Sequence, residues 1–298
     1  MKTIIPNQKV LITRNGCFLE NCIVEELQRR KLNIKILCRG KEKNLTDTPT
    51  NLEFLQASLS RPESFKGYLE DVHTVISALD FSKINKGIFD TEIDYQNHLN
   101  LLKEAEKAGV KKFVYVMRTE AGTNESGKPI KNFSNVLKAS GISYSILRVN
   151  ALFSDFDKIL STTHTRKIFV SWEKAKPLNP IHPKDLAKAC VDAIETLNLD
   201  ITIGGPEVLT SKEIIKMAIK AHQNRALLIF PNYLFYRSNS SSRKYRLFFT
   251  TEKHSNSIKN KDLRETVYLK YGKLYLGRFF QDQVGIVKNY ELFMKLTL

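Results

Sequence analysis

Residues with the capacity to bind phosphate follow the first apolar segment of the chain. Thr13 to Glu20 read TRNGCFLE and separate a strand-like run at 9–13 from a helical pattern that begins at Leu19. A phosphate-binding loop at such a junction uses glycines to turn tightly, to let the backbone approach the phosphate and to pack helix on strand. Gly16 is the one glycine in this segment. We therefore expect an anion site of backbone N–H groups from which the usual glycines are missing.

Three non-glycine residues bring opposing chemistry to this loop. Arg14 carries a guanidinium that could pair with a phosphate, whereas Glu20 puts a carboxylate in the first helical turn, where it repels a bound pyrophosphate. A Cβ at Cys17 could keep phosphate oxygens away from the backbone. A non-glycine residue held at positive φ would cost about 1–2 kcal/mol. Two alternatives follow: Gly16 supplies a shifted turn and a cofactor still binds, or the loop has relaxed and binds nothing.

Four other features invite a functional interpretation. Arg39 follows the second predicted strand, where an acidic residue would favour NAD and an arginine accommodates the 2′-phosphate of NADP; a plain surface arginine is the alternative. Cys17, at a helix N-terminus, could have a lowered pKa and react, but an ordinary small residue is the favoured interpretation. His182, before Pro183, could be a general base, although a structural role is favoured. Packing is the favoured role of Trp172, the single tryptophan.

Strands and helices alternate along the chain so that the loop residues meet at one edge of a sheet. Apolar runs predict strands at 9–13, 34–38, 52–55, 73–77, 112–116, 143–148 and 201–203, and helical spacing predicts helices at 19–30, 62–68, 94–108, 132–140, 183–197 and 211–222. This alternation is typical of right-handed βαβ units and a parallel sheet. The ligand crevice is expected beyond the carboxyl ends of the strands, around 13–20, 38–40, 77–82, 117–121 and 148–154.

The predicted fold class is a doubly wound, mostly parallel α/β sheet of the Rossmann type with a smaller C-terminal substrate-side region. Residues 1–150 are expected to form the dinucleotide-binding core, and residues 151–298 a C-terminal region integrated with that core. Beyond Asn224 the periodicity degrades, so the pattern makes no prediction for the fold of 225–265.

Several motifs resemble those of the atypical short-chain dehydrogenase/reductases, close to the NmrA-like NAD(P)-binding group. Phe18 and Leu19 match the family loop Thr-Gly-Ala-Thr-Gly-Phe-Leu-Gly, while its glycines align with Arg14, Cys17 and Glu20. Further matches lie at 75–78, 94–97, 108–116, 146–148, 179–182, 185–187, 203–210, 270–272 and 279–280. The likeness covers roughly residues 9–283 and is weakest at 225–265, so it supports the fold independently of the loop.

The resemblance implies a set of cofactor-binding positions. They are Thr13, Arg14, Asn15, Gly16, Cys17, Phe18, Leu19, Arg39, Ser77, Ala78, Leu79 and Lys131, with Lys128 as the alternative to Lys131. The implied cofactor is NADP, and the degenerate loop leaves open that its binding has been lost. The catalytic residues stay unassigned. The tyrosine–lysine pair of the wider superfamily is missing, since no lysine lies four positions after Tyr95, Tyr115, Tyr144, Tyr236 or Tyr271. The fifth strand ends at Met117-Arg118, where many relatives have serine.

Composition and charge limit the kinds of partner that this chain is expected to bind. The net charge of +16 fits an acidic partner, although a lysine-rich solvated surface is the favoured interpretation and nucleic-acid binding is unlikely on this pattern. The sequence contains no run of about 18 apolar residues, so no membrane span is expected. Four cysteines lack metal-type spacing, so no metal site is expected. The cysteines, together with a polar N-terminus too short for a signal peptide, favour a cytoplasmic location.

Three functions are consistent with these features. The first is an NAD(P)H-binding oxidoreductase that reduces a small carbonyl, quinone or enone. The second is a catalytically inactive relative that senses NADP or binds a protein partner. The third, which the sequence favours least, is a nucleic-acid-associated protein that uses its basic surface.

Overall fold

The computed structural model describes residues 8–38, 51–78, 91–119, 133–163, 167–170, 177–222, 227–229, 247–248 and 269–296. The strands are β1 (Lys9–Arg14), β2 (Asn33–Cys38), β3 (Leu52–Gln56), β4 (Val72–Ser77), β5 (Lys112–Arg118), β6 (Ser143–Val149), β7 (Lys167–Val170), β8 (Leu199–Gly204), β9 (Leu227–Ile229), β10 (Leu247–Phe248) and β11 (Leu269–Lys270). The helices are α1 (Phe18–Arg29), α2 (Thr91–Lys107), α3 (Phe133–Ala139), α4 (Asp157–Thr162), α5 (Pro183–Asp192), α6 (Ser211–Ala221) and α7 (Leu276–Leu296).

Eight strands form the main sheet in the order β11-β8-β6-β5-β4-β1-β2-β3. β1 pairs in parallel with β2 on one side and with β4 on the other, so the strand order reverses at β1. The pairings of β2 with β3, β4 with β5, β5 with β6 and β6 with β8 are also parallel. The predicted doubly wound parallel sheet is confirmed. The loop after β1 lies at the switch point, where sheets of this type bind ligands.

The central strands are buried on both faces, as helices on each side of a parallel sheet require. Val10, Leu11 and Ile12 in β1 are fully buried, although their side chains alternate between the two faces. α1 packs against α5. The apolar face of α1 includes Leu19, Ile23 and Leu27, at the spacing expected of an amphipathic helix.

The chain divides into two compact units that interleave along the sequence. The first comprises Met1–Val149, Pro183–Ile203 and Val267–Tyr271, and the second Asn150–His182, Gly204–Thr266 and Gly272–Leu298. The first unit holds the strands from β1 to β6. In the second, α6 packs against α7, and β7 pairs in parallel with β9 and β10. The division at residue 150 expected from the sequence stays a prediction.

Some elements differ from the sequence expectation. The short helix expected at 62–68 is a 3-10 helix of Pro62–Phe65, and the helix expected at 183–197 ends at Asp192 before a 3-10 turn of Ala193–Glu195. α7 was not predicted. Its buried residues Leu276, Phe280 and Val284 recur every four positions, which is a helical signal that was present in the sequence.

Candidate functional site

The loop between β1 and α1 has rearranged around its one glycine. Gly16 has φ of +87°, which favours glycine, and a Cβ built on it would meet no atom within 4 Å. Cys17 has φ of −84° and ψ of 155°, an ordinary extended conformation. Among the described non-glycine residues only Lys31 has positive φ. The expectation of backbone strain at Arg14, Cys17 or Glu20 is therefore wrong. The loop instead makes the shifted turn at Gly16.

A carboxylate of the chain itself lies among the loop amides. Oε2 of Glu20 accepts hydrogen bonds from the backbone N–H groups of Asn15, at 2.8 Å, and Cys17, at 2.9 Å. The side chain of Glu20 is fully buried. Its other oxygen, Oε1, is also buried and accepts no hydrogen bond from the residues that the structure describes. The N–H groups of Asn15, Gly16 and Cys17 are hereafter called the amide nest. Two of them thus donate to a carboxyl group of the chain itself where a phosphate would bind.

The electrostatics of the nest follow from burial. Burial raises the pKa of Glu20 above the ordinary 4.5, and the N–H groups of Cys17, Asn15 and Gly16 oppose this rise without cancelling it. Burial, followed by the charge of Glu20, raises the pKa of the Cys17 thiol to about 12. The alternative of a low-pKa, reactive Cys17 is therefore wrong, because burial and, after it, the charge of Glu20 raise the pKa of the thiol despite its place at a helix N-terminus.

The other predicted cofactor positions differ in burial. Thr13 of β1 and Ser77 of β4 are fully buried, and their hydroxyl oxygens lie 3.4 Å apart. Ala78 is also fully buried. Phe18 is about half exposed at the start of α1, whereas Leu19 points into the core. The positions that lie outside the described residues are Arg39, Leu79 and Lys131, together with Lys128 and Trp172.

The carboxyl ends of β5 and β6 carry a polar cluster that sequence reasoning missed. Arg148 donates through Nε to Oδ1 of Asp200 at 2.7 Å and through Nη2 to Oγ of Ser134 at 3.1 Å. Its Nη1 lies 3.3 Å from the sulfur of Met117, which is buried. Burial would raise the pKa of Asp200, but the hydrogen bonds from Arg148 and Lys138 outweigh it and lower that pKa. Arg148 and Asp200 are 52 positions apart, so the pattern of neither segment indicates the pair.

His182 lies in an aromatic cluster of the second unit. Its ring meets Phe153 edge-on, with 5.4 Å between ring centroids, and meets Phe279 in the same way at 5.5 Å. The side chain is largely buried. This packing agrees with the favoured structural role of His182.

The described part of the chain contains no group of three His, Cys, Asp or Glu residues that could hold a metal ion. Cys17, Cys22, Cys38 and Cys190 are free thiols. Of the helices within the described ranges, none is long and apolar enough to cross a membrane.

A comparison with known families identifies the family of this chain. The sequence pattern of the NAD(P)H-binding family matches residues 21–197, more than half of the 298-residue chain. The chain belongs to the NAD(P)H-binding family. The match begins at Asn21, directly after Glu20, so the amide nest lies outside the part that matches the family.

One curated relative is the photosystem II assembly factor Ycf39 of Synechocystis. It is 23% identical over 177 residues, which cover 57% of this chain and 54% of Ycf39. The match thus spans about half the length of this relative. Together with the family pattern, it confirms the resemblance to the atypical, NmrA-like short-chain dehydrogenase/reductases.

Solved structures of sugar-nucleotide epimerases share the fold. The UDP-glucose 4-epimerase of Thermotoga maritima superposes with a TM-score of 0.65 at 14% identity, over 95% of this chain and 99% of that one. A nucleoside-diphosphate-sugar epimerase of Staphylococcus aureus gives 0.63 at 16% identity, over 92% and 100%. The UDP-glucose 4-epimerase of Thermus thermophilus, solved with NAD, gives 0.56 at 17%, over 75% and 87%. These likenesses show the fold alone.

The nest does not fit the cofactor of the NAD(P)H-binding family. A pyrophosphate at this position accepts hydrogen bonds from the loop amides and the helix N-terminus. Glu20 already uses the amides of Asn15 and Cys17, and its buried carboxylate would lie against phosphate oxygens of the same charge. The described loop is therefore complementary to its own side chain and not to a dinucleotide.

Proposed function

We propose that this chain is a non-catalytic member of the NAD(P)H-binding family that acts by binding a protein partner. The observation that carries the proposal is Met117, which lies buried at the end of β5 where many relatives have serine. A thioether neither donates nor accepts the proton that carbonyl reduction requires. The chain thus lacks a hydroxyl at the position where relatives assist proton transfer.

The tyrosine–lysine spacing of the usual proton-transfer set is also absent. None of the eleven tyrosines of the full sequence has a lysine four positions further on. Arg148, beside Met117, is held by Asp200 and Ser134. A guanidinium does not act as a general acid in proteins. These features support binding as the function and argue against hydride transfer with proton uptake.

The chemistry of the partner follows from charge. A net charge of +16 favours association with an acidic protein surface, to which it would be attracted over several ångströms. The name of the curated relative, an assembly factor, supports a role in binding proteins. Because the cysteines are free and spaced unlike a disulfide framework, we place this function in the cytoplasm.

A second candidate function is reduction of a small carbonyl or quinone with NADPH. Membership of the NAD(P)H-binding family favours it. Arg39, next to the second strand, would select NADPH over NADH through the 2′-phosphate. NADP sensing without turnover is an intermediate case that uses the same cofactor site.

Turnover distinguishes the two candidates. Purified protein is mixed with NADPH and with aldehydes, ketones and quinones, and the loss of NADPH absorbance is followed. We expect no oxidation above that of the same mixtures with heat-denatured protein. Sustained, protein-dependent oxidation with any member of the panel would make the chain a reductase and refute the proposed function.

A further inference from the structure

The buried carboxylate of Glu20 requires an explanation beyond helix capping. Glu213 provides the comparison within the same chain, because it holds the equivalent third position of α6. Oε2 of Glu213 accepts from the amide of Thr210 at 2.8 Å, the contact of an ordinary capping box. Glu213 is exposed, and the hydrogen bonds of Thr210 lower its pKa. Glu20 makes the same contact with Cys17 but is fully buried and has a raised pKa.

Glu20 also reaches beyond its own helix. Its carboxylate accepts from Asn15, two residues before the residue that caps α1, so it closes the loop as well as the helix. Oε1 remains buried without a hydrogen-bond donor among the described residues. A capping residue at a free helix end has no reason to leave one oxygen in this state, because water would solvate it. Glu20 thus contacts the loop amides from a buried position, unlike the exposed capping carboxylate of Glu213.

Among the described residues, the loop that carries the nest lies at the surface, and the carboxylate that contacts its N–H groups is buried. Asn15 and Gly16 are both exposed, and a Cβ built on Gly16 would meet nothing within 4 Å. No described side chain covers the outer side of Gly16. The carboxylate is therefore what occupies the donors, and it is a single side chain that substitution can remove.

We infer that Glu20 is an internal ligand of the amide nest and that the loop is a latent pyrophosphate site blocked by its own carboxylate. The backbone donors that bind a phosphate are retained, and removal of the carboxylate exposes them. The inference rests on the proposed function, since a chain that does not turn over a dinucleotide can keep its nest filled. It goes further in naming the residue that excludes the ligand and the ligand class that its removal would admit.

Titration calorimetry of Glu20 variants tests the inference. Inorganic pyrophosphate and NADPH are titrated separately into the full-length wild type, E20G, E20Q and E213Q. E20G clears the nest, and E20Q removes the charge but keeps an oxygen acceptor. E213Q is the matched control, because it removes the same charge and keeps an acceptor at the same position of a helix that has no closed nest.

We expect wild type and E213Q to bind neither probe at millimolar concentration. E20G should bind both, with an affinity gain of about tenfold to a hundredfold, the range for hydrogen bonds to a charged group. E20Q should gain less. Circular dichroism verifies that each variant is folded, and E20Q decides the matter if E20G does not fold.

Two results would overturn the inference. Wild type that binds pyrophosphate as tightly as E20G would show that the nest holds both anions. Folded E20G and E20Q that bind neither probe would show that the loop is no latent site. Binding by wild type without NADPH oxidation rejects this inference alone, whereas NADPH oxidation by wild type rejects the proposed function.

Discussion

Glu20 and Glu213 occupy the same position relative to the start of their helices, and their surroundings give them opposite properties. The exposed Glu213 gains from its hydrogen bonds and stays charged, while burial makes the charge on Glu20 costly. Gly16 decides the backbone conformation of the loop. It takes the one positive-φ position, so Arg14 and Cys17 keep unstrained backbone angles. At this scale the loop has been rebuilt around a carboxylate.

The stability of the chain should depend on the proton at Glu20. The pKa of Glu20 is raised in the folded state, so between its ordinary 4.5 and the raised value the folded chain binds more protons than the unfolded chain. The free energy of unfolding must then fall as pH rises through that window. E20Q lacks this dependence while keeping an acceptor for the amides. We expect E20Q to be more stable than wild type at neutral pH, with a difference that shrinks as pH falls towards 4.5.

Urea unfolding at a series of pH values measures this difference. E213Q should show the opposite sign, because hydrogen bonds lower the pKa of Glu213 and its stabilising contribution is lost as pH falls. A gap between E20Q and wild type that does not vary with pH would contradict the assignment of a raised pKa to Glu20.

Gly204 permits a close approach that no other residue allows. A Cβ at this position would lie 1.5 Å from Oδ1 of Asn179, which is fully buried. We expect G204A to lower the free energy of unfolding by about 1–3 kcal/mol, the range for overpacking a tight interior. G285A is the control, because its Cβ meets nothing within 4 Å and alanine favours a helix by about 0.5–1 kcal/mol over glycine. Thermal unfolding of both variants provides the measurement, and equal effects would refute the clash.

At the scale of elements, the strand ends of the first unit are joined by single polar side chains. Arg148 of β6 reaches Asp200 of β8, and Lys112 of β5 reaches the segment that precedes β8. Parallel strands are brought together by crossovers and not by hairpins, so their edges depend on such contacts. α1 and α5 are joined in the same way, because Arg30 donates to Asp192 at 2.6 Å.

Lys112 should matter for the register of these strands. Its buried ammonium donates to the carbonyl oxygens of Thr196 at 2.7 Å and Tyr144 at 3.0 Å. K112M would leave these carbonyls without a donor, and we expect a loss of about 1–3 kcal/mol in the free energy of unfolding. K111M, at the exposed neighbouring position, should change it by less than about 0.5 kcal/mol. Chemical denaturation compares the two, and a tolerated K112M would show that the carbonyls find other donors.

At the scale of the whole molecule, we propose that the fold of the NAD(P)H-binding family serves protein binding in this chain. The sheet order and family membership are those of NAD(P)H-binding proteins. The same scaffold supports unrelated functions in other families, so fold alone does not assign an activity. The filled nest and buried Met117 argue for binding, and the high net charge indicates the kind of surface that such a chain would meet.

The sequence by itself determined the parallel sheet, its switch point and the family. The signals are local: they are apolar runs, such as 9–13 and 112–116, and the helical spacing between such runs. They can be read without tertiary information. It also located the loop and identified Glu20 as a group that opposes a pyrophosphate. Arg39, Leu79 and Lys131 stay predictions, because they lie outside the described residues.

Only the tertiary structure decided what Glu20 does there. Its partners, Asn15 and Cys17, are close in sequence, but whether a carboxylate faces solvent or the loop amides depends on the path of the backbone and on burial. The residues of the pairs Arg148–Asp200 and Asn179–Gly204 are far apart along the chain and come into contact only in the folded structure. Periodicity reports which face of an element is buried, whereas hydrogen bonding and charge depend on three-dimensional neighbours. The missing glycines were therefore visible in the sequence, and the hydrogen bonds of Glu20 to the loop amides were visible only in the fold.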